Sequence, residues 1–128
     1  MLFRSNASRV IFCSGRIYYD LIAEREKLGE WSTAIVRVEL LYPLPAREMA
    51  EIAAKHPNAN LLWVQDEPAN QGPWSFIALR TAEEFGGIGF GGRNLRRVSR
   101  RATASPATGN HHLHEDEQKA LMQEAFTR

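Results

Sequence analysis

The feature that most constrains the fold is a short apolar run followed at once by an acidic turn and an amphipathic helix. Residues 61–64 are Leu-Leu-Trp-Val, which suits a strand covered on both faces. Gln-Asp-Glu-Pro follows at 65–68, and Pro73 suits the first position of a helix. From Trp74 to Phe85 the apolar residues recur with a helical period. A buried strand joined to a helix by a polar turn is the unit of a parallel α/β layer.

Two earlier segments repeat this unit. Residues 10–13 are apolar, and the helix after them is predicted to end near Leu28, because Gly29 is a stop signal. Residues 34–38 are rich in β-branched side chains and form a second strand, after which Pro45 is predicted to open another helix. Both strands are short enough to lie beside the 61–64 strand in one sheet.

The last strand differs in polarity. In residues 94–102 only Leu95 and Val98 are large and apolar, among four arginines. So polar a strand belongs at a sheet edge, where its charges prevent pairing with another chain. A loop at 105–109 and a final helix complete the chain. The order predicts a three-layer α/β domain with a mainly parallel sheet of four or five strands and a polar edge strand.

Length and composition narrow the classes of function. The 128 residues suffice for one domain with a single core. Residues 1–8 are predicted to be a linker remnant and residues 9–128 the domain. A net charge of +1 indicates neither a nucleic-acid nor a membrane partner, and no apolar run approaches the roughly 20 residues of a membrane span. A single cysteine, Cys13, excludes an internal disulfide and fits a reducing compartment.

Two stretches imitate ligand-binding motifs. Residues 87–92 match G-x-G-x-x-G, but a dinucleotide site needs a strand before the glycines and a helix after them. Here the predicted helix precedes and the strand follows, so a surface loop is expected. His111, His112 and His114 precede Glu115 and Asp116, but only His111 and His114 have the spacing of two ligands on one helical face. No third ligand is fixed, so no metal site is expected.

No catalytic residue is predicted. Cys13 ends a strand just before a helix, but no base can be placed beside it, and a core thiol is expected. Asp66 and Glu67 are adjacent on an extended turn, so their side chains diverge. A salt-bridge or hydrogen-bonding role at an interface is therefore favoured over acid–base catalysis.

The basic strand and the loop after it leave two interpretations open. Four arginines precede two hydroxyl residues: Arg96, Arg97, Arg100 and Arg101, then Ser105 and Thr108. Guanidinium groups and loop amides together bind phosphate-type anions. The alternative is a solvated edge, or a face that docks onto an acidic protein surface.

Four longer motifs occur in one order: Cys-Ser-Gly-Arg-Ile-Tyr-Tyr-Asp-Leu at 13–21, Arg-Val-Glu-Leu-Leu-Tyr-Pro-Leu-Pro at 37–45, Trp-Val-Gln-Asp-Glu-Pro-Ala-Asn-Gln-Gly-Pro-Trp at 63–74, and Ala-Ser-Pro-Ala-Thr-Gly at 104–109. Together they resemble the C-terminal domain of the 2-oxoglutarate dehydrogenase first component, a thiamine-diphosphate-dependent decarboxylase. The resemblance extends from about Arg9 to Phe126. It departs at Arg16 and Asp66, where the family often has Lys and Glu, and at Arg101, where many members have Pro or another residue.

The resemblance implies a transketolase-type domain of a dimeric tricarboxylic acid cycle enzyme. Such an enzyme decarboxylates 2-oxoglutarate and passes the succinyl group to the lipoyl arm of a second component. Its thiamine diphosphate and Mg²⁺ belong to earlier domains, so this chain is expected to bind no cofactor and to be inactive alone. The implied partners are those thiamine-binding domains and a second subunit, in a bacterial cytoplasm or a mitochondrial matrix.

Two groups of candidate residues follow. The expected interface residues are Tyr18, Tyr19, Asp66, Glu67, Asn70, Gln71 and Trp74. Because some members are regulated by AMP or acetyl-CoA near this domain, the resemblance also implies an allosteric nucleotide site at Arg100, Ser105 and His114. The alternatives are a free-standing adenine-nucleotide or acetyl-CoA binding module and an inert gene fragment.

Overall fold

A computed structural model describes residues 7–41, 43–90, 92–100 and 111–127, with side chains in the last helix described from Glu115 onward. The part described contains five strands and four helices: β1 (Arg9–Cys13), α1 (Ile17–Leu28), β2 (Thr33–Arg37), α2 (Ala46–Lys55), β3 (Asn60–Pro68), α3 (Trp74–Phe85), β4 (Gly89–Phe90), β5 (Arg93–Arg100) and α4 (His111–Phe126). None of the helices in these ranges is both long and apolar enough to cross a bilayer.

The strands form one sheet in the order β2-β1-β3-β5-β4. The first four run parallel, and β4 pairs antiparallel with the start of β5. The predicted three-layer α/β domain with a mainly parallel sheet is therefore confirmed. The polar strand, β5, is next to the edge strand β4, which pairs only with Arg93 and Asn94 of it.

The helices cover both faces of the sheet, and β3 contributes to both cores. Leu61 and Trp63 point into the core beneath α2 and α3, which includes Met49 and Ile77. Leu62 and Val64 point into the opposite core beneath α1 and α4. All four β3 side chains are at most 3% exposed. Successive side chains of a strand alternate between faces, so a continuous apolar run is what a doubly covered strand requires.

Gly89 and Phe90 of the glycine-rich stretch form β4, which makes a β-hairpin with β5. The prediction of a surface loop was therefore wrong for these two residues. Phe90 is buried, with its ring centroid 5.8 Å from that of Phe12 and 5.5 Å from that of Phe85. Gly89 has φ of 135°, and a Cβ there would lie 1.9 Å from the Arg93 carbonyl oxygen. Glycine is required because two backbones meet closely, and β5 rather than a helix follows.

Helix ends follow the sequence signals to within one residue. Gly29 ends α1 in the left-handed conformation, as predicted. Pro45 and Pro73 occupy the position just before α2 and α3, so each helix begins one residue later than predicted. This difference is small, because proline fixes φ at a value compatible with either position.

The Arg93 side chain, from the start of β5, reaches the end of α2. Its guanidinium donates to three backbone carbonyls, those of Ala53, His56 (2.8 Å) and Ala59 (2.6 Å). The Ala53 and His56 carbonyls also accept backbone hydrogen bonds from His56 and Ala59, and carbonyls at the end of a helix carry partial negative charge that attracts a cation. Arg93 provides that cation and joins β5 to the loop before β3.

Candidate functional site

The topology places a crevice between the carboxyl ends of β1 and β3. The connection from β1 leads through α1 to β2 on one side, whereas that from β3 leads through α3 to β5 on the other side. Open parallel sheets bind ligands at this kind of switch point. Cys13 and Val64 are register partners at the end of the pairing, so residues 14–16 and 65–73 flank the crevice.

Gln65 organises the turn on the β3 side. Its side chain is 1% exposed, and Oε1 accepts hydrogen bonds from Trp63 Nε1–H and Trp74 N–H, both at 2.9 Å. Its Nε2 donates to the backbone carbonyls of Glu67 (3.2 Å), Pro68 (2.9 Å) and Gln71 (2.8 Å). One buried amide therefore connects the end of β3, the turn and the start of α3. Sequence reasoning did not select this residue.

The turn displays the two carboxylates predicted at an interface. Asp66 and Glu67 are both exposed. Gly72 has φ of 67°, and a Cβ there would lie 2.9 Å from side-chain atoms of Glu67. A residue other than glycine would therefore displace Glu67 as well as strain the backbone. The position of the Glu67 side chain is thus tied to the shape of the turn.

The other predicted interface residues of the turn differ in accessibility. Asn70 is exposed, while Gln71 and Trp74 are half-buried. Trp74 packs against the core shared by α2 and α3, and its backbone N–H bonds to Gln65. Trp74 therefore stabilises the domain itself and presents only part of its ring to solvent.

Arg100 lies inside the domain behind Asp66. Its side chain is 6% exposed. The guanidinium Nε donates to the Asp66 carbonyl (3.0 Å), and Nη2 donates to Asp66 Oδ1 (3.3 Å) and to Gln118 Oε1 (2.8 Å). Nη1 lies 3.7 Å from Glu117 Oε2. These contacts join β5, the end of β3 and α4 at the carboxyl edge of the sheet.

The predicted nucleotide site is only partly described. Arg100 has the contacts above, His114 lies in α4 with its side chain outside the described part, and Ser105 lies outside the described residues. Arg96 and Arg97 are both exposed, and Arg96 Nη1 lies 3.5 Å from Glu124 Oε2 of α4. Arg101 and Thr108 are likewise outside the described residues. The nucleotide site at Arg100, Ser105 and His114 therefore stays a prediction.

Tyr18 and Tyr19 form an aromatic pair beside Arg37. Their ring centroids are 5.4 Å apart in an edge-to-face arrangement, and the Arg37 guanidinium lies 5.6 and 5.3 Å from the two rings. Arg37 Nη1 also donates to the Tyr19 hydroxyl at 3.1 Å. Tyr19 is 61% exposed, as is Leu40 just after β2. Tyrosine and arginine surfaces of this kind are common at the centres of protein interfaces.

Cys13 is a core thiol, as predicted. It is fully buried, and burial raises the pKa of its thiol to about 12, with the positive charge of Arg37 opposing the effect in part. Its Sγ lies 3.7 Å from the Val36 carbonyl oxygen, to which it donates. At neutral pH the thiol is therefore protonated and inaccessible, which disfavours nucleophilic chemistry.

Metal-binding residues do not converge in the described part. Among the side chains described there, no three from His, Cys, Asp and Glu are grouped as a metal site requires. The side chains of His111, His112 and His114 lie outside that part. The groups found at the crevice recognise charge and form hydrogen bonds, and none is arranged as a nucleophile with its base.

Residues 3–126 match the family described as 2-oxoglutarate dehydrogenase C-terminal. The chain is 42% identical over 125 residues to the 2-oxoglutarate dehydrogenase E1 component of Cupriavidus necator, covering 97% of this chain and 13% of that protein. It is 44% identical over 123 residues to the 2-oxoglutarate dehydrogenase E1/E2 component of Corynebacterium glutamicum, covering 95% of this chain and 10% of that protein.

A eukaryotic relative matches in the same way. The mitochondrial 2-oxoglutarate dehydrogenase of Caenorhabditis elegans is 38% identical over 122 residues, covering 94% of this chain and 12% of the relative. The chain therefore spans 10% to 13% of the length of these relatives. The match concerns this segment, and the rest of each relative has no counterpart in the 128 residues.

Proposed function

Because the chain belongs to the 2-oxoglutarate dehydrogenase C-terminal family, we propose that it serves such a dehydrogenase as a docking domain. Its partners in this proposal are the thiamine-binding domains and a second subunit. The complete enzyme would decarboxylate 2-oxoglutarate and transfer the succinyl group to lipoamide. The location would be the cytoplasm of a bacterium or the mitochondrial matrix of a eukaryote.

The observation that most supports docking is the exposed surface at the carboxyl edge. Tyr19 and Leu40 are each 61% exposed, and Arg37 lies against both tyrosines of the pair. The turn at 65–73, at the same edge of the sheet, is held by the buried Gln65 amide. A surface fixed before binding loses little conformational entropy when a partner associates.

The described residues do not fit thiamine diphosphate and its metal. Mg²⁺ on a diphosphate requires carboxylate or amide oxygens grouped at one point, and no such group of three occurs among the described carboxylates and histidines. The buried guanidinium of Arg100 is already bonded to Asp66 and Gln118. Thiamine diphosphate would supply the electron sink for decarboxylation from the other domains, and this chain would position those domains.

Docking predicts a site-specific loss of binding. We expect Tyr19→Ala to weaken association of the chain with the thiamine-binding domains, produced as a separate polypeptide, by about tenfold, because tyrosine is enriched at interface hot spots. Leu79→Ala is the matched control, since Leu79 is 59% exposed on α3. Interferometry with immobilised partner measures the dissociation constant. Equal dissociation constants for both variants and the unchanged chain would contradict the proposed docking surface around Tyr19. Turnover of 2-oxoglutarate by the chain alone would contradict the docking role.

Regulation by AMP or acetyl-CoA at Arg100, Ser105 and His114 is our second proposal. The observation in its favour is that the buried Arg100 Nη1 donates no hydrogen bond to the described residues, its nearest acidic group being Glu117 Oε2 at 3.7 Å. Arg100→Ala would also break contacts within the domain, so His114→Ala is the better variant. We expect calorimetry to detect heat with AMP or acetyl-CoA for the unchanged chain and about tenfold weaker binding for His114→Ala. Absence of heat with both ligands would remove the proposal.

A further inference from the structure

A cleft of about 440 Å³ opens between α1 and α4 at the switch point of the sheet. Arg16, Asp20 and Ala23 line it from α1, and Gln118 and Met122 line it from α4. Asp66 closes the side nearest β3. The cleft is large enough for a small metabolite, and pockets at switch points are the usual ligand sites of parallel sheets.

The inner end of the cleft combines one positive and two negative groups. Arg16 and Asp20 are one helical turn apart, so their Cβ atoms are about 6 Å apart. Asp20 Oδ2 accepts a hydrogen bond from Gln118 Nε2 at 3.3 Å. Asp66 Oδ1 accepts one from Arg100 Nη2 at 3.3 Å, and the Asp66 side chain remains 53% exposed. The Arg16 carbonyl accepts a hydrogen bond from the Tyr19 N–H at 3.1 Å, but the Arg16 guanidinium has no hydrogen bond or ion pair with the described residues. The α1 N-terminus at Arg16 also lacks a side-chain cap, which leaves positive partial charge there.

These groups complement a molecule with a carboxylate and an ammonium a short distance apart. A carboxylate fits Arg16 and the start of α1, and an ammonium fits Asp20 and Asp66. Ala23 and the buried Met122 provide apolar surface one turn further along. At the outer end Glu24 and Lys27 have opposite charges three residues apart, so that end adds no net charge.

We propose that this cleft binds a free α-amino acid with an aliphatic side chain. Its carboxylate lies at Arg16, its ammonium lies between Asp20 and Asp66, and its side chain lies on Ala23 and Met122. The inference concerns the α1–α4 side of the crevice and does not depend on docking to a thiamine enzyme.

L-leucine is the probe, with N-acetyl-L-leucine and L-leucinamide as matched ligands that lack one charge each. Titration of the ¹⁵N-labelled chain should give saturable shifts at residues 16–24 and 118–122 with L-leucine and much weaker shifts with the other two ligands. We expect Asp20→Asn and Arg16→Gln each to weaken L-leucine binding by about tenfold, because each removes one charge-assisted contact. Glu26→Gln, an exposed α1 position outside the cleft, should leave it unchanged.

Each alternative result overturns the proposal. Absence of saturable shifts with L-leucine excludes the site, and equal binding of the three ligands excludes recognition of both charges. Saturation of the same residues by AMP but not by L-leucine assigns the cleft to a nucleotide. The amides of Asp20 and Gln118 could also exchange more slowly in a longer form of the protein than in this chain, with no amino acid present. That result would assign the cleft to a protein segment. Thermal melting of each variant confirms that the fold is retained.

Discussion

Replacing Gln65 by methionine is expected to lower the free energy of unfolding by about 4 kcal/mol. Methionine has nearly the same length but cannot bond to the five groups around the Gln65 amide. Two donors, Trp63 Nε1–H and Trp74 N–H, would lose their acceptor. Three backbone carbonyls would lose a shared donor. Each buried polar group left without a partner costs about 1–3 kcal/mol, and relaxation of the turn offsets part of the sum.

Urea unfolding of the two chains measures this loss, and Gln123→Met is the matched control. Gln123 is exposed on α4, so its replacement should change stability by less than about 0.5 kcal/mol. Gln65→Glu distinguishes the hydrogen bonds that Oε1 accepts from those that Nε2 donates, because a carboxylate accepts from both tryptophans but cannot donate to the carbonyls. Its stability should rise on acidification, since the protonated carboxyl regains one donor. A loss below 1 kcal/mol for Gln65→Met would show that the turn forms without the amide.

Replacing Arg93 by methionine is expected to lower the free energy of unfolding by about 3 kcal/mol. The guanidinium bonds to three carbonyls around the end of α2, and these acceptors belong to residues at least 34 positions earlier in the chain. Methionine keeps the aliphatic packing of the arginine stem but removes all three guanidinium hydrogen bonds, leaving the Ala53 and His56 carbonyls with their backbone donors alone. Arg93→Lys should recover only part of the loss, because an ammonium lacks the planar fork that spans several acceptors.

Arg97→Met is the control for this second change, because Arg97 lies on the same strand and is exposed. Its replacement should leave the denaturation midpoint almost unchanged. Hydrogen exchange should show faster opening at the end of α2 in Arg93→Met than in the control. Equal stability of the Arg93 and Arg97 variants would mean that water replaces the guanidinium without cost, and would contradict the assigned role.

The sheet and its helices were predictable because their signals are local. The apolar run at 61–64 indicated a strand buried on both faces, and Gly29 indicated the end of α1. The hairpin at Gly89 was missed because two-residue strands have no periodicity and the glycines resemble a loop. Its requirement for glycine depends on the approach of Arg93, which only the folded chain reveals.

The site was predicted less completely for the same reason. Exposed Asp66, Glu67 and Tyr19 follow from turn chemistry and polarity, but a charge pattern does not distinguish a buried arginine from a solvated one. Gln65 had a usable signal, since residues 61, 63 and 65 share one face of β3 and a polar side chain at a core position must find partners. No sequence signal indicated the role of Arg93, because the carbonyls that it binds are distant in sequence.

The double burial of β3 limits how this domain can vary during evolution. Inserting or deleting one residue within 61–64 would turn each following side chain to the opposite face and exchange the contents of the two cores. Such a change has no nearby compensation, because Trp63 and Leu62 differ greatly in volume. Length differences between homologous domains should therefore occur in the connections, and the central strand should keep its residue count even where its side chains drift.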